Sequence, residues 1–232
     1  MRPLFIANWK MNPHTLQEAQ QLFLAIHKGL EGVKDVDVVI CPPFPFIPQI
    51  LNTKYQIQVG AQDCFWEQEG AYTGEVSPLM LKNLGCSHVL LGHSERRKLG
   101  ETSEMIAKKV QAVLDVFLIP VVCIGEGIEK EMEVILKNIK EADILKIVFV
   151  YEPEGAISTE PHAKPASLEQ LDHAVRAMRA FLSKSATILY GGSVNSKNIQ
   201  GFMEKGIQGA LVGAASLDAQ EFVQLAKNAV FR

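Results

Sequence analysis

Six polar side chains stand where short apolar runs end. Asn8 and Lys10 follow LFIA (4–7), and His93 and Glu95 follow HVLLG (88–92). Glu126 follows IPVVCIG (119–125), and Glu152 follows IVFVY (147–151). A carboxylate, an imidazole and an ammonium are together able to move a proton and to steady the charge its departure creates. Each also has an ordinary reading. A lysine after a strand is commonly a solvated surface residue, and a histidine there is as readily bonded to backbone as catalytic. Glu152 alone reads equally well as an exposed loop acid. Only convergence on one place gives these groups a shared chemistry, and convergence depends on the fold.

Two further run ends carry small residues instead: Gly191-Gly192-Ser193 and Gly213-Ala214-Ala215-Ser216. Small side chains let backbone N–H groups approach an anion, so two such turns in consecutive units suggest a phosphate site. Taken singly, each also reads as a tight turn.

The elements that must position these residues alternate along the chain. Strand candidates are LFIA (4–7), VDVVIC (36–41), IQVGAQ (57–62), HVLLG (88–92), IPVVCIG (119–125), IVFVY (147–151), TILYGG (187–192) and GALVGA (209–214). Most are apolar throughout, as strands covered on both faces are. Helix starts are legible between them. Thr15-Leu16-Gln17-Glu18 and Ser167-Leu168-Glu169-Gln170 are capping boxes, and Ser77-Pro78 sets an N-cap before a first-turn proline. Leu168, Leu171, Val175, Met178 and Leu182 recur at helical spacing, as do Ile128, Met132, Ile135 and Ile139. Repeated strand–helix units without a compositional break predict a single (β/α)8 barrel over residues 1–232 rather than an open doubly wound sheet. In such a barrel the strands' carboxyl ends share one rim, where the polar residues named above would meet.

Bulk properties narrow the partners. A formal charge of −3 over 232 residues argues against an extended nucleic-acid footprint. No run approaches the roughly 20 apolar residues of a membrane span. MRPLFIANWK enters a strand-like run at once, unlike a signal peptide. Cys41, Cys64, Cys86 and Cys123 are widely spaced, without zinc-site or CxxC spacing. They read as reduced thiols of a cytoplasmic protein, with Cys41 and Cys123 in the core.

The stretches ANWKMN (7–12), GAQDC (60–64), GAYTGEVSP (70–78), LLGHSERR (90–97), CIGE (123–126), YEP (151–153), YGGSV (190–194) and LVGAASL (211–217) occur in this order, close to one per unit. In this the chain resembles the triosephosphate isomerase family from end to end. The resemblance implies interconversion of dihydroxyacetone phosphate and D-glyceraldehyde 3-phosphate through an enediolate, in glycolysis and gluconeogenesis, without cofactor or metal. Glu152 would be the base, His93 a neutral electrophile, and Lys10 the positive charge for phosphate and oxyanion, in the pattern established for this family. Asn8 would act as a polar donor, and Glu95 would hold Lys10, with Cys123 in support. Backbone N–H groups of Ser158, Ser193, Gly213 and Ala214 would grip phosphate. Thr73 would reach the site of a second copy, implying a homodimer. Pro153, Glu154, Gly155, Ala156, Ile157, Ser158, Thr159 and Glu160 would form the lid.

The lid is also where the chain departs from the family pattern. Glu154 and Gly155 stand at an aliphatic and a tryptophan position, Ser158 and Glu160 at glycines, and Pro161 at a lysine. Ala214 stands at a glycine, and Gly127–Lys146 is shorter than usual. The expectation is retained activity with altered hinge packing. Other phosphosugar barrels remain as alternatives: an epimerase, an aldolase using Lys10, or a barrel that binds without catalysis.

Overall fold

The computed structural model describes residues 2–52, 57–153, 155 and 165–230. From the N-terminus the elements are β1 (Leu4–Asn8), α1 (Leu16–Gly29), β2 (Asp37–Cys41), α2 (Ile47–Leu51), β3 (Gln58–Ala61), α3 (Pro78–Leu84) and β4 (His88–Leu91). The middle of the chain holds α4 (Ser94–Lys98), α5 (Ser103–Asp115), β5 (Ile119–Ile124), α6 (Ile128–Leu136), α7 (Glu141–Ile144) and β6 (Val148–Tyr151). It ends with α8 (Leu168–Arg179), β7 (Thr187–Tyr190), α9 (Ile199–Met203), β8 (Gly209–Val212) and α10 (Ala219–Val230). The strands are parallel and pair in sequence order, and β8 returns to β1 through Leu4–Gly209 and Ala7–Val212. The result is the closed (β/α)8 barrel predicted from the alternating runs, with no free sheet edge.

Helix starts follow the capping chemistry. Thr15 and Ser167 each accept an N–H of the first turn while Glu18 and Gln170 reach back, and Ser77 accepts from Met80 N–H. Two details of the periodic reading change. Helix α6 stops at Leu136, and Ile139 N–H bonds Leu136 O to close a turn outside it. Leu168 faces solvent, because the buried stripe of α8 is Leu171, Ala174, Val175 and Met178.

Strand side chains alternate between two separate apolar clusters. Phe5, Ala7, Val38, Ile40, Val89, Leu91, Phe149 and Tyr151 pack outward with the helices. Ile6, Val39, Cys41, Leu90, Val121, Cys123, Val150, Leu189 and Leu211 fill the barrel's interior. The step of two residues therefore decides which polar groups enter the barrel at either end. Beyond the interior cluster at the carboxyl end come Asn8 and Glu152; at the amino end come Asp37, His88 and Thr187. All four cysteines are buried and free. Among the described residues no helix is long and apolar enough to cross a membrane.

His88 is buried, and burial pushes its imidazole down to about 4. Its folded value lies below the ordinary 6.5, so the unfolded chain takes up the proton first as pH falls. The stabilisation is complete above about pH 6.5 and is lost progressively towards pH 4. The shift corresponds to roughly 3 kcal/mol. In urea titrations, the stability gained between pH 4 and pH 7 is expected to shrink by about that amount in His88→Gln. An unchanged pH dependence refutes the assignment.

Candidate active site

The first strand brings two groups to the rim by different means. Asn8 continues the inward step from Ile6 and is buried at the top of the barrel. Lys10 instead sits in the left-handed region, at φ +54°. For a residue with a Cβ this costs on the order of 1 kcal/mol, so neighbouring bonds must offset it. Lys10 N–H donates to Asn8 Oδ1 at 3.0 Å. Gln62 Nε2 donates to Lys10 O at 2.8 Å and to Cys41 O at 2.9 Å, tying the turn to β2. The side chain then carries Nζ to 2.6 Å from Glu95 Oε1.

His93 reaches the rim through a forced turn. Gly92 has φ +72°, and a Cβ there would come within 2.7 Å of Ile106 Cδ1. Its N–H donates to Glu101 Oε2 at 3.1 Å, and its carbonyl accepts from Arg97 Nε at 2.8 Å. His93 caps α4, with Glu95 N–H donating to Nδ1 at 3.2 Å. An Nδ1 that accepts carries no proton, so the ring presents Nε2–H as a neutral donor. Nε2 lies 3.3 Å from Glu152 Oε1.

Glu152 continues the inward step from Val150 and is buried. Its Oε2 accepts from Ser94 N–H at 2.9 Å, while Oε1 has no hydrogen-bond partner among the described residues. Burial, and after it the carboxylate of Glu152 alongside, holds the Cys123 thiol well above its usual range, so it stays protonated beside the acid.

The small residues after β7 have a packing role as well. A Cβ on Gly191 would lie 2.8 Å from Glu152 Cγ, and one on Gly192 would lie 2.2 Å from the Tyr190 hydroxyl. Gly191 thus clears room for the stem of the carboxylate. Ser193, next along, accepts from Asn198 Nδ2 at its carbonyl, 3.1 Å away. Gly213 caps a short 3-10 turn, its carbonyl accepting from Ser216 N–H at 2.8 Å and Oγ at 2.7 Å. Ala214 opens that turn without a positive φ, so the methyl group is accommodated without backbone strain.

Asn8, Lys10, His93, Glu95, Cys123 and Glu152 are thereby brought together, with Ser193, Gly213 and Ala214 on the neighbouring strand ends. Thr73 lies apart, exposed on a projecting segment closed by Phe65 N–H to Val76 O at 2.8 Å. Of the lid residues, Pro153 is buried, and Gly155 has φ +70° with open space where a side chain would be. Ser158 and the lid residues Glu154, Ala156, Ile157, Thr159 and Glu160 lie outside the described residues.

The family model described as triosephosphate isomerase matches residues 3–229. A triosephosphate isomerase of Dictyoglomus thermophilum is 40% identical over 248 aligned residues, covering 98% of this chain and 99% of the relative. One of Caldanaerobacter subterraneus subsp. tengcongensis is 41% identical, covering 97% and 98%. The chain belongs to the triosephosphate isomerase family.

Against the triosephosphate isomerase pattern, Gly155 stands where a tryptophan is usual. A cavity of about 550 Å³ lies beside it, lined by Ser94, Arg97, Glu126, Glu131 and Glu152 among others. Glu126, at the end of the fifth strand, thus faces this cavity. Arg97 bridges the cavity wall, donating to Glu131 Oε2 at 2.7 Å and to Cys123 O at 3.2 Å.

Several of these polar groups escape pattern reading. Gln62, Ser94 and Arg97 fall inside matched stretches, but neither spacing nor type marks them as supports of Lys10, Glu152 and Gly92. Asp63, Glu101 and Lys109 form a buried cluster: Lys109 Nζ donates to Asp63 Oδ1 at 2.8 Å and pairs with Glu101. Arg96 Nη2 approaches Asp63 Oδ2 at 2.8 Å. Lys109 recurs on the apolar face of α5, where periodicity reads an error rather than an ion pair.

Gly191→Ala tests the packing around the Glu152 side chain. Displacing Glu152 by about 1 Å is expected to lower kcat about 100-fold, with KM changed only a few-fold. Steady-state kinetics alongside a melting curve reads the split, and a kcat within two-fold of the parent's refutes it.

Proposed function

We infer that the chain interconverts dihydroxyacetone phosphate and D-glyceraldehyde 3-phosphate through an enediolate, serving glycolysis and gluconeogenesis. The observation that carries the residue roles is the contiguous line from Glu152 through His93 to Glu95 and Lys10. Its separations are 3.3 Å (Glu152 to His93), 3.7 Å (His93 to Glu95) and 2.6 Å (Glu95 to Lys10).

In this reading Glu152 Oε1, unengaged among the described residues, takes the proton from the hydroxymethyl carbon of the ketose. The electron pair moves onto the carbonyl oxygen, where His93 Nε2–H and the Lys10 ammonium meet the developing charge. His93 passes a proton between the two oxygens, and Glu152 returns its own to the adjacent carbon. No redox partner enters, since both protons move within one molecule and the composition is unchanged. Phosphate is held by backbone N–H groups at Ser193, Gly213 and Ala214, with Lys10 supplying charge. A lysine paired with Glu95 at 2.6 Å supports a charge role over the free amine an aldolase needs. The buried, free cysteines fit a reducing, cytoplasmic setting.

We further infer a homodimer in which Thr73 enters the partner's site. Met11, beside Lys10, and Tyr72, beside Thr73, are both exposed, as is Met80 on α3. Large apolar groups on projecting segments favour burial against a second copy.

Two measurements test these readings. Glu152→Asp withdraws the carboxylate by one methylene and is expected to lower kcat on glyceraldehyde 3-phosphate at least 100-fold, with KM within a few-fold. Undiminished turnover removes Glu152 as the base. Thr73→Arg is expected to shift the mass in light scattering from dimer to monomer and to lower activity at least tenfold. A fully active dimer removes Thr73 from the interface.

A further inference from the structure

Helix α6 carries three acids in alternation, Glu129, Glu131 and Glu133. Acids in the first turn of a helix are favoured by its dipole, and that accounts for the exposed Glu129. Glu133 is exposed farther along. Glu131 is different. It stands three residues after the buried Ile128, and its side chain leaves the helix towards the barrel instead of the solvent.

Its carboxylate joins two strand ends. Glu131 Oε2 accepts from Arg97 Nη2 at 2.7 Å and from Gly125 N–H, just past β5, at 3.2 Å. The space depends on glycine, since a Cβ on Gly125 would lie 3.2 Å from Glu131 Oε1.

Both bonds lead to the site in a single further step. The peptide unit that offers Gly125 N–H to Glu131 offers Ile124 O, at its other end, to Glu152 N–H at 2.9 Å. That unit is planar and rigid, so fixing one end fixes the other. Arg97 places its other donors on the rim: Nε on Gly92 O at 2.8 Å, Nη2 on Cys123 O at 3.2 Å and Nη1 on Ser103 Oγ at 3.3 Å. Gly92 is the turn from which His93 leaves its strand.

Charge adds to the geometry. The Arg97 and Glu131 side chains are only 21% and 16% exposed, and a pair so withdrawn from water is disrupted when one partner is lost. Glu126 and Glu152 line the same cavity, so a guanidinium released from Glu131 has two other carboxylates to turn to.

We propose that Glu131 is a positioning residue for the isomerisation. It holds Arg97 on Gly92 and the Ile124–Gly125 peptide on Glu152, and thereby fixes His93 and Glu152 at their separation of 3.3 Å. It acts through these groups and does not touch the triose phosphate. The proposal rests on the reading of His93 and Glu152 as the reacting groups.

Steady-state kinetics on glyceraldehyde 3-phosphate, with melting curves, test this in Glu131→Ala, Glu131→Gln and Glu133→Ala. Glu131→Ala is expected to lower kcat about tenfold with KM within about two-fold, since the reacting groups shift while the phosphate turns stay. Glu131→Gln keeps an oxygen for both donors but loses the charge, and its kcat is expected about three-fold below the parent's. Glu133→Ala, on the exposed face, is expected to keep kcat within about two-fold. The cavity of about 550 Å³ beside Glu131 admits a small anion. Formate is therefore expected to raise kcat of Glu131→Ala about three-fold, whereas chloride at equal ionic strength is not. Glu131→Gln keeps the test valid if Glu131→Ala does not fold. A lowered melting temperature with parental kcat in every Glu131 variant that folds, or a kcat loss that formate leaves unchanged, overturns the proposal. Glu152→Asp in the same assay separates the two readings. If it keeps parental turnover, the assignment of the base fails and the proposal with it; if it loses turnover while the Glu131 variants do not, the proposal alone fails.

Discussion

Closing parallel strands into a ring imposes one constraint on everything else: every second side chain must point inwards. The interior accepts only what fills it, and Ile6, Val39, Leu90, Val121, Val150 and Leu211 do so. Extending the same step past the apolar layer brings Asn8 and Glu152 to one rim, and running it backwards brings Asp37 and His88 to the other. The polar groups occupy the mouths because the interior is closely packed and cannot desolvate them without partners. The two ends differ in what holds those groups. At the carboxyl end each is tied to a neighbour; at the amino end Asp37 and His88 line a cavity, with His88 Nδ1 2.8 Å from Ser87 Oγ.

Two residues of the carboxyl-end rim do not follow the step, and both depend on backbone geometry that the surroundings must sustain. Lys10 lies in the left-handed region because Asn8 and Gln62 take up its N–H and carbonyl. His93 leaves the strand through Gly92, whose φ and close contact with Ile106 exclude any side chain. Arg97 and Glu101 then fix Gly92 from both sides, so the arginine following the histidine acts on the site through the backbone. Gly191 completes the arrangement by leaving space for Glu152. Glycines that read as phosphate-turn residues are also those that let a buried carboxylate fit.

Much of the fold was legible because it rests on local or periodic signals. Apolar runs, capping boxes and proline positions mark their elements regardless of what packs against them. Leu168 and Ile139 show the limit: helical spacing names candidates for a buried face, but only contact with the barrel decides where the face lies and where the helix stops. Gln62, Ser94, Asp63 and Lys109 were illegible for another reason. Their partners are distant in sequence, and a polar residue gives no local sign that it will be buried and paired.

The sequence by itself therefore determined the alternation of strands and helices, the family, and the set of residue types at the strand ends. These depend on the order of side chains along the chain, which is already complete before folding. Tertiary structure alone decided the turn of His93 Nε2 towards Glu152 Oε1, 3.3 Å away, the second role of Gly191 and the cavity at the opposite mouth. Each is a matter of direction and distance between groups far apart in sequence, and those quantities exist only once the ring of strands has closed.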